Sequence, residues 1–169
     1  MLAPADCPIA PTTTVTSGRI GPNINPVTGL STDYLNHFTE AIMLLELLPA
    51  DPDCVADFLK WEPKDYRAHF AGSHFSNRNG IIAAYETADP ELSRSLDMLA
   101  DLMNTLLLAT REAISANPAA AKSRALAQRS ATVLKPIVAR VSALINGTAP
   151  GLSNRDSVPQ AAIDAMFRR

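Results

Sequence analysis

The segment from Asp33 to Leu48 limits the possible folds of this chain more than any other. Its apolar side chains recur at spacings of three and four residues, which is the period of an α-helix. From Ala41 onward the segment holds one charge, Glu46, among seven apolar residues. A helix that is apolar on every side must be covered on every side. We therefore expect this helix in the middle of the molecule, with other helices around its C-terminal half.

The rest of the chain predicts an all-α fold. A chain of 169 residues is one domain by length and can bury a substantial core. Aromatic residues make up only 5%, and the aliphatic residues recur with helical period rather than in alternation. We predict a helical bundle in which three long helices pack roughly antiparallel beside four short ones. The long helices are predicted at 33–48, 90–116 and 119–146, and the short ones at 52–61, 64–71, 80–88 and 158–167.

Proline and glycine divide the chain into three parts. Residues 1–30 are rich in Pro, Thr and Gly, which exclude a long helix. We expect an extended N-terminal arm there, packed on its own domain or on a neighbouring subunit. Residues 31–147 should form the bundle domain, and residues 148–169 a loop followed by a short amphipathic helix. Pro136 lies within the last long helix and predicts a kink.

The charge distribution gives no general case for nucleic-acid binding, because the formal net charge is only -2. Residues 1–110 hold 6 basic and 14 acidic side chains, whereas residues 111–169 hold 9 and 3. The basic side chains are scattered among alanines without interleaved aromatic residues. We therefore interpret the asymmetry as attraction between acidic and basic helices that pack together, and we do not expect nucleic acid as a partner.

Cysteine usage and the apolar runs bear on location. Two cysteines, Cys7 and Cys54, do not make a disulfide framework, and the chain has no Cys-x-x-Cys motif. The N-terminal residues lack the basic and apolar regions of a signal peptide. No apolar run approaches the length of a membrane span. These observations predict reduced thiols, no membrane span and a cytoplasmic location.

One set of polar residues could bind a metal ion. His37 and Glu40 share a face of the first helix, because residues three apart are neighbours there. His69 and His74 could join them if their loop folds back over this helix. Three histidines and a carboxylate suffice for zinc or non-haem iron, so this hypothesis implies a divalent metal as cofactor. The simpler interpretation is a polar stripe, because the chain lacks the repeated motif of a carboxylate-bridged di-metal bundle.

A second set lies in residues 66–79, the densest cluster of polar and aromatic side chains. Arg67 and Arg78 could bind an anionic group. The simpler interpretation is a surface loop whose rings close the core from above. Its aromatic members, which we take as candidates for contacts with a partner, are Tyr66, Phe70 and Phe75.

The absence of catalytic motifs favours interaction over catalysis. The chain has no Gly-x-Ser-x-Gly, no glycine loop for phosphate and no Cys/His zinc spacing. We predict a protein of interaction or regulatory type that binds itself, as a homo-oligomer, or another protein. The first alternative is a metal- or small-ligand-binding bundle that uses His37, Glu40, His69 and His74. Another is an enzyme without cofactor that acts on a small anion through Arg67, His69, His74 and Arg78.

Overall fold

Six α-helices make up most of the chain that this computed structural model describes, which comprises residues 24–118 and 121–148. They are α1 (Leu35–Leu47), α2 (Val55–Lys60), α3 (Tyr66–Ala71), α4 (Arg78–Thr87), α5 (Pro90–Ala116) and α6 (Ala121–Ile145). Short 3-10 helices, Thr32–Tyr34 and Pro52–Cys54, precede α1 and α2. The predicted all-α class is confirmed, and the three long helices begin and end within two residues of their predicted limits. The predicted helix at 158–167 and most of the predicted N-terminal arm lie outside the described residues.

Acidic caps explain where two of the helices begin. Asp89 accepts hydrogen bonds from two backbone N–H groups of the first turn of α5, and Pro90 occupies the first helical position. Asp65 accepts a hydrogen bond of 2.7 Å from the N–H of Ala68 and thereby begins α3. A cap of this kind satisfies N–H groups that have no partner within the helix. The start of α3 is therefore set by Asp65.

The helix in the middle of the bundle is α6, which packs against both α1 and α5. The side chains of Ile42 and Leu45 on α1, and of Leu48 at its end, are buried. Met43 and Leu47, however, are 40% and 39% exposed. The expectation that the second half of this helix is covered on every side is therefore wrong. The reason is that α5 packs on α6, which leaves one face of α1 without a neighbouring helix in the described chain.

Small side chains and one buried polar pair join α5 to α6. Ala127 and Ala131 are fully buried on α6, and alanine allows two helices to approach closely. Between the helices the hydroxyl oxygens of Thr110 and Ser130 are 2.8 Å apart and share a hydrogen bond. Pro136 lies on the exposed face of α6, and the helix continues through it to Ile145.

A turn formed by residues 24–31 belongs with the bundle. Ile24 and Ser31 form an antiparallel bridge that closes the turn, and the hydroxyl of Thr28 donates a 2.6 Å hydrogen bond to the carbonyl of Ile145. Gly29 has a φ of 71°, and a Cβ at this position would lie 3.2 Å from the carbonyl oxygen of Ala84. Glycine meets both the left-handed conformation and the close approach. Packed structure in the described chain thus begins before residue 31.

None of the described helices is long and apolar enough to cross a lipid bilayer. Cys54 is fully buried at the start of α2 and is disulfide-bonded, with its sulfur 3.5 Å from a carboxylate oxygen of Asp51. The other cysteine of the chain, Cys7, lies outside the described residues. The expectation of reduced thiols is therefore wrong for Cys54. The cytoplasmic location that rested on it loses that support.

Candidate binding site

Aromatic rings from several elements are packed around Tyr34, which directly precedes α1. Its ring is fully buried and makes edge contacts with the rings of Phe38, Tyr66 and His69, at centroid distances of 5.3, 5.2 and 5.6 Å. Tyr66 and His69 are three residues apart and share one face of α3. Aromatic pairs at such distances and angles stabilise a structure beyond the area that they bury. These contacts attach α3 to the start of α1.

His37 is buried beside this cluster, with 7% of the residue exposed. Its ring stacks on the indole of Trp61 at 4.8 Å, and the indole N–H donates a 3.1 Å hydrogen bond to the carbonyl of His37. The centroid of the His69 ring is 5.8 Å away. Among the described residues, Nε2 of His37 finds no hydrogen-bond partner. A buried polar atom of this kind carries a desolvation cost.

The environment lowers the pKa of both imidazoles. Burial, followed by the nearby His69 and Lys64, lowers the pKa of His37 to about 4, and the backbone of Glu62 opposes the shift. Burial is also the main cause that lowers the pKa of His69, followed by Lys64, while the backbone and carboxylate of Asp33 oppose it. Two neighbouring imidazoles and an ammonium group disfavour any added positive charge.

A cleft of about 380 Å³ opens next to these rings, where α3, α4 and α5 meet. We refer to it as the tyrosine cleft, because all three tyrosines of the chain line it. Its lining consists of Tyr34, Asp65, Tyr66, Arg67, Tyr85, Asp97, Ala100 and Asp101. The first turn of α3 and its cap provide three of these side chains. One face of α5 provides three more, because Asp97, Ala100 and Asp101 are three and four residues apart.

Hydrogen bonds hold the three phenols in place. The hydroxyl of Tyr85 donates to the carboxylate of Asp97, with both oxygens at 2.7 Å. The hydroxyl of Tyr34 donates to the carbonyl of Lys64 at 2.8 Å, and the oxygen of Tyr66 accepts from the N–H of Ser31 at 2.8 Å. The rings of Tyr66 and Tyr85 stack at 4.6 Å with an interplanar angle of 19°. The walls of the cleft are therefore fixed by polar and aromatic contacts together.

The cleft is negatively charged. Three carboxylates line it, and the single guanidinium, that of Arg67, lies 3.4 Å from Glu86 and above the ring of Tyr85. The tyrosines respond to this field. Burial and then Asp65, Asp97 and Asp101 raise the pKa of Tyr34 beyond its usual range. Burial raises the pKa of Tyr66 to about 12. Burial, followed by the hydrogen bond to Asp97, raises the pKa of Tyr85.

The four residues of the metal hypothesis do not form one site. The structure brings the rings of His37 and His69 together, but Glu40 is exposed on α1 and His74 is exposed after the end of α3. Within residues 24–118 and 121–148, no group of three or more His, Cys, Asp or Glu side chains is placed to hold a metal ion. Gly72 ends α3, so His74 does not follow His69 along that helix.

The other predicted site residues are also separated. Arg67 contacts Glu86, whereas Arg78 donates a hydrogen bond to the carbonyl of Ser73 at 3.4 Å, so the two do not converge on one anion. Phe75 remains available for contact, with 40% of the residue exposed. Tyr66 and Phe70 are buried and close the core, as in the simpler interpretation of this segment.

Sequence reasoning missed the tyrosine cleft. Tyr34, Tyr85 and Asp97 come from three elements that are distant in the chain, and no motif connects them. One signal was present, because Asp97 and Asp101 lie one turn apart on a helix whose other face is apolar. Comparisons of the chain with protein-family models, with curated proteins and with solved structures found no significant match.

Proposed function

We propose that this chain is a non-catalytic binding protein whose tyrosine cleft accepts the cationic group of a small organic molecule. The observation that carries this proposal is the lining of the cleft, where three tyrosine rings and three carboxylates surround one volume. Apolar ring surface keeps water away from a bound charge and so strengthens its attraction to carboxylates. The ring of Tyr85 already attracts one cation, the guanidinium of Arg67.

The size of the cleft favours a small molecule. A volume of about 380 Å³ falls within the usual range for small-molecule sites, about 300–1,000 Å³. Arg67 also lines the cleft, and it pairs with Glu86 at 3.4 Å, so its charge offsets only part of the three carboxylates. An ammonium group needs nearby acceptors and ring surface, whereas a metal ion needs several ligands at fixed short distances. The lining suits the first requirement.

Calorimetric titration with spermidine and with tetramethylammonium tests the proposal. We expect both cations to bind. Neopentyl alcohol, a neutral molecule of nearly the same shape as tetramethylammonium, should bind at least tenfold more weakly. Asp101→Asn removes one carboxylate from the cleft, and it should weaken cation binding by about 1 kcal/mol or more. Glu40→Gln makes the same change in charge on the exposed surface of α1, and it should leave binding unchanged.

Two results would count against the proposal. One is equal affinity for the cation and its neutral analogue, since the carboxylates would then contribute nothing. The other is an equal loss in Asp101→Asn and Glu40→Gln, which would indicate general attraction to an acidic protein rather than a site. Circular dichroism of each variant checks that the helices are retained.

Self-association is the second candidate function, and the exposed face of α1 supports it. Met43 and Leu47 are one turn apart and expose 40% and 39% of their surface. Between them, Glu46 forms an ion pair with Lys135 of α6. The exposed face therefore carries apolar side chains together with one negative and one positive charge. A second copy of the chain carries the same face, and in a two-fold dimer this face would pack against its own counterpart.

Light scattering tests this candidate. We expect a dimer whose stability falls when Leu47→Glu introduces a charge, while Met98→Glu, on the exposed face of α5, leaves it unchanged. A monomer at all concentrations would refute it. The cytoplasmic location expected from the sequence stays a prediction, and the disulfide at Cys54 weighs against it.

A further inference from the structure

The contact between α1 and α3 contains two neighbouring imidazoles, His37 and His69. The rings of His37 and His69 have centroids 5.8 Å apart, and His37 is more than nine-tenths buried. Nε2 of His37 lacks a hydrogen-bond partner within the described chain. Protonation would add a donor and a charge at this place, and a buried cation without a partner is strongly unfavourable.

The groups that face the two imidazoles do little to stabilise a positive charge on either ring. Against His37 lie the Trp61 ring, the backbone of Glu62 and the ammonium group of Lys64, all from the connection between α2 and α3. His69 faces Tyr34, the same Lys64, and Asp33 from the 3-10 helix before α1. From α5, the guanidinium of Arg111 donates a 2.7 Å hydrogen bond to the carbonyl of Trp61. Asp33 is thus the one carboxylate among these groups, beside two cationic groups, Lys64 and Arg111.

The same helix that carries His69 carries one wall of the tyrosine cleft. Asp65, Tyr66 and Arg67 form the cap and first turn of α3, and all three line the cleft. Tyr34 touches the rings of both His69 and Tyr66. A displacement of α3 away from α1 therefore moves three lining residues at once. The imidazole contact and the cleft are mechanically connected through one short helix.

We propose that His37 and His69 form an acid-sensitive joint, in which protonation loosens α3 from α1 and opens the tyrosine cleft. The release of a bound cation that follows rests on the proposed function, whereas the loosening of α3 does not. A site that is neutral when closed and protonated when open shifts toward the open form as the pH falls. With a pKa of about 4 when closed and 6.5 when open, His37 alone should raise the open-to-closed ratio about 15-fold between about pH 6.5 and 5.

The chain offers a complete set of variants for the test, because it has three histidines and one tryptophan. His37→Phe and His69→Phe keep an aromatic ring at each position and remove the titrating group. His74→Phe is the matched control, since His74 is exposed in the turn after α3. Fluorescence of Trp61, which stacks on His37, reports on the joint in the unmodified chain.

Hydrogen exchange is measured for α3 and α5 between about pH 7.5 and 5, with intrinsic exchange rates corrected for pH. We expect protection of α3 to fall relative to α5 in the unmodified chain and in His74→Phe, and Trp61 fluorescence to change over the same range. The double variant with both buried histidines replaced should lose this pH dependence. If that variant does not fold, His69→Phe alone should lose part of it.

The proposal is overturned if α3 keeps its protection at pH 5, or if the double variant shows the same fall in protection as the unmodified chain.

Calorimetric titration with tetramethylammonium at pH 7.5 and pH 5 separates this proposal from the proposed function. Binding at high pH that weakens in parallel with α3 protection supports both. Failure to bind at high pH refutes the proposed function, while hydrogen exchange still decides the joint. Binding that is unaffected by an observed loosening refutes the opening of the cleft.

Discussion

An alkaline titration examines the tyrosine cleft with little ambiguity, because the chain has three tyrosines and all of them line it. An ordinary tyrosine has a pKa of about 10, so at pH 11 about nine-tenths of it is ionised. Burial raises the pKa of Tyr66 to about 12, so about one-tenth of this side chain should be ionised at that pH. The pKa values of Tyr34 and Tyr85 are raised as well, and for Tyr34 the three carboxylates add to the effect of burial.

The same shifts set how stability depends on pH. A tyrosine whose folded pKa is raised releases its proton first in the unfolded chain, so its contribution is complete below about pH 10 and is lost as the pH approaches 12. For Tyr66, which is 1% exposed, a shift from 10 to about 12 corresponds to about 3 kcal/mol. The chain should therefore unfold in alkali as its phenols ionise, in one cooperative step.

The measurement is the ultraviolet absorbance of tyrosinate, recorded together with circular dichroism across the alkaline range. The guanidinium-unfolded chain is the control and should titrate three phenols near pH 10. Tyr85→Phe removes one phenol, so it should lower the amplitude of the alkaline titration from three phenols to two. A phenol that titrates near pH 10 while the helical signal is intact would refute this cleft, because that ring would have to face open water.

Three further predictions concern the bundle. Phe38→Ala removes a fully buried ring and should cost about 3–5 kcal/mol in chemical denaturation. Thr110→Val should cost about 1–3 kcal/mol because it leaves the buried hydroxyl of Ser130 without its partner, and adding Ser130→Ala should recover part of that loss. Alkylation of the denatured chain should modify Cys54 only after a reductant is added, and modification without reductant would contradict its disulfide.

The positions of the helices could be predicted from the sequence because the signals that set them are local. The Asp89–Pro90 start of α5 consists of adjacent residues, and it was placed at the right position. The order of packing was not predictable in the same way. Helical periodicity shows that α1 has an apolar face, but it does not show whether α5 or α6 will cover it. The exposed Met43 and Leu47 result from that choice.

The candidate site was harder to predict than the fold, for a related reason. The pairing of Tyr85 with Asp97 depends on the angle between α4 and α5, which no local pattern determines. Motif reasoning gave weight to His37 and Glu40 because they are three residues apart, yet only His37 is buried. The residue that stacks on it, Trp61, lies between two short helices and carried no periodic signal.

The hydrogen bond from Thr28 to the carbonyl of Ile145 joins positions separated by 117 residues. It joins the turn before α1 to the last residue of α6, so the two ends of the bundle lie next to each other. Labels placed beside Thr28 and Ile145 would therefore report on each other rather than span the bundle.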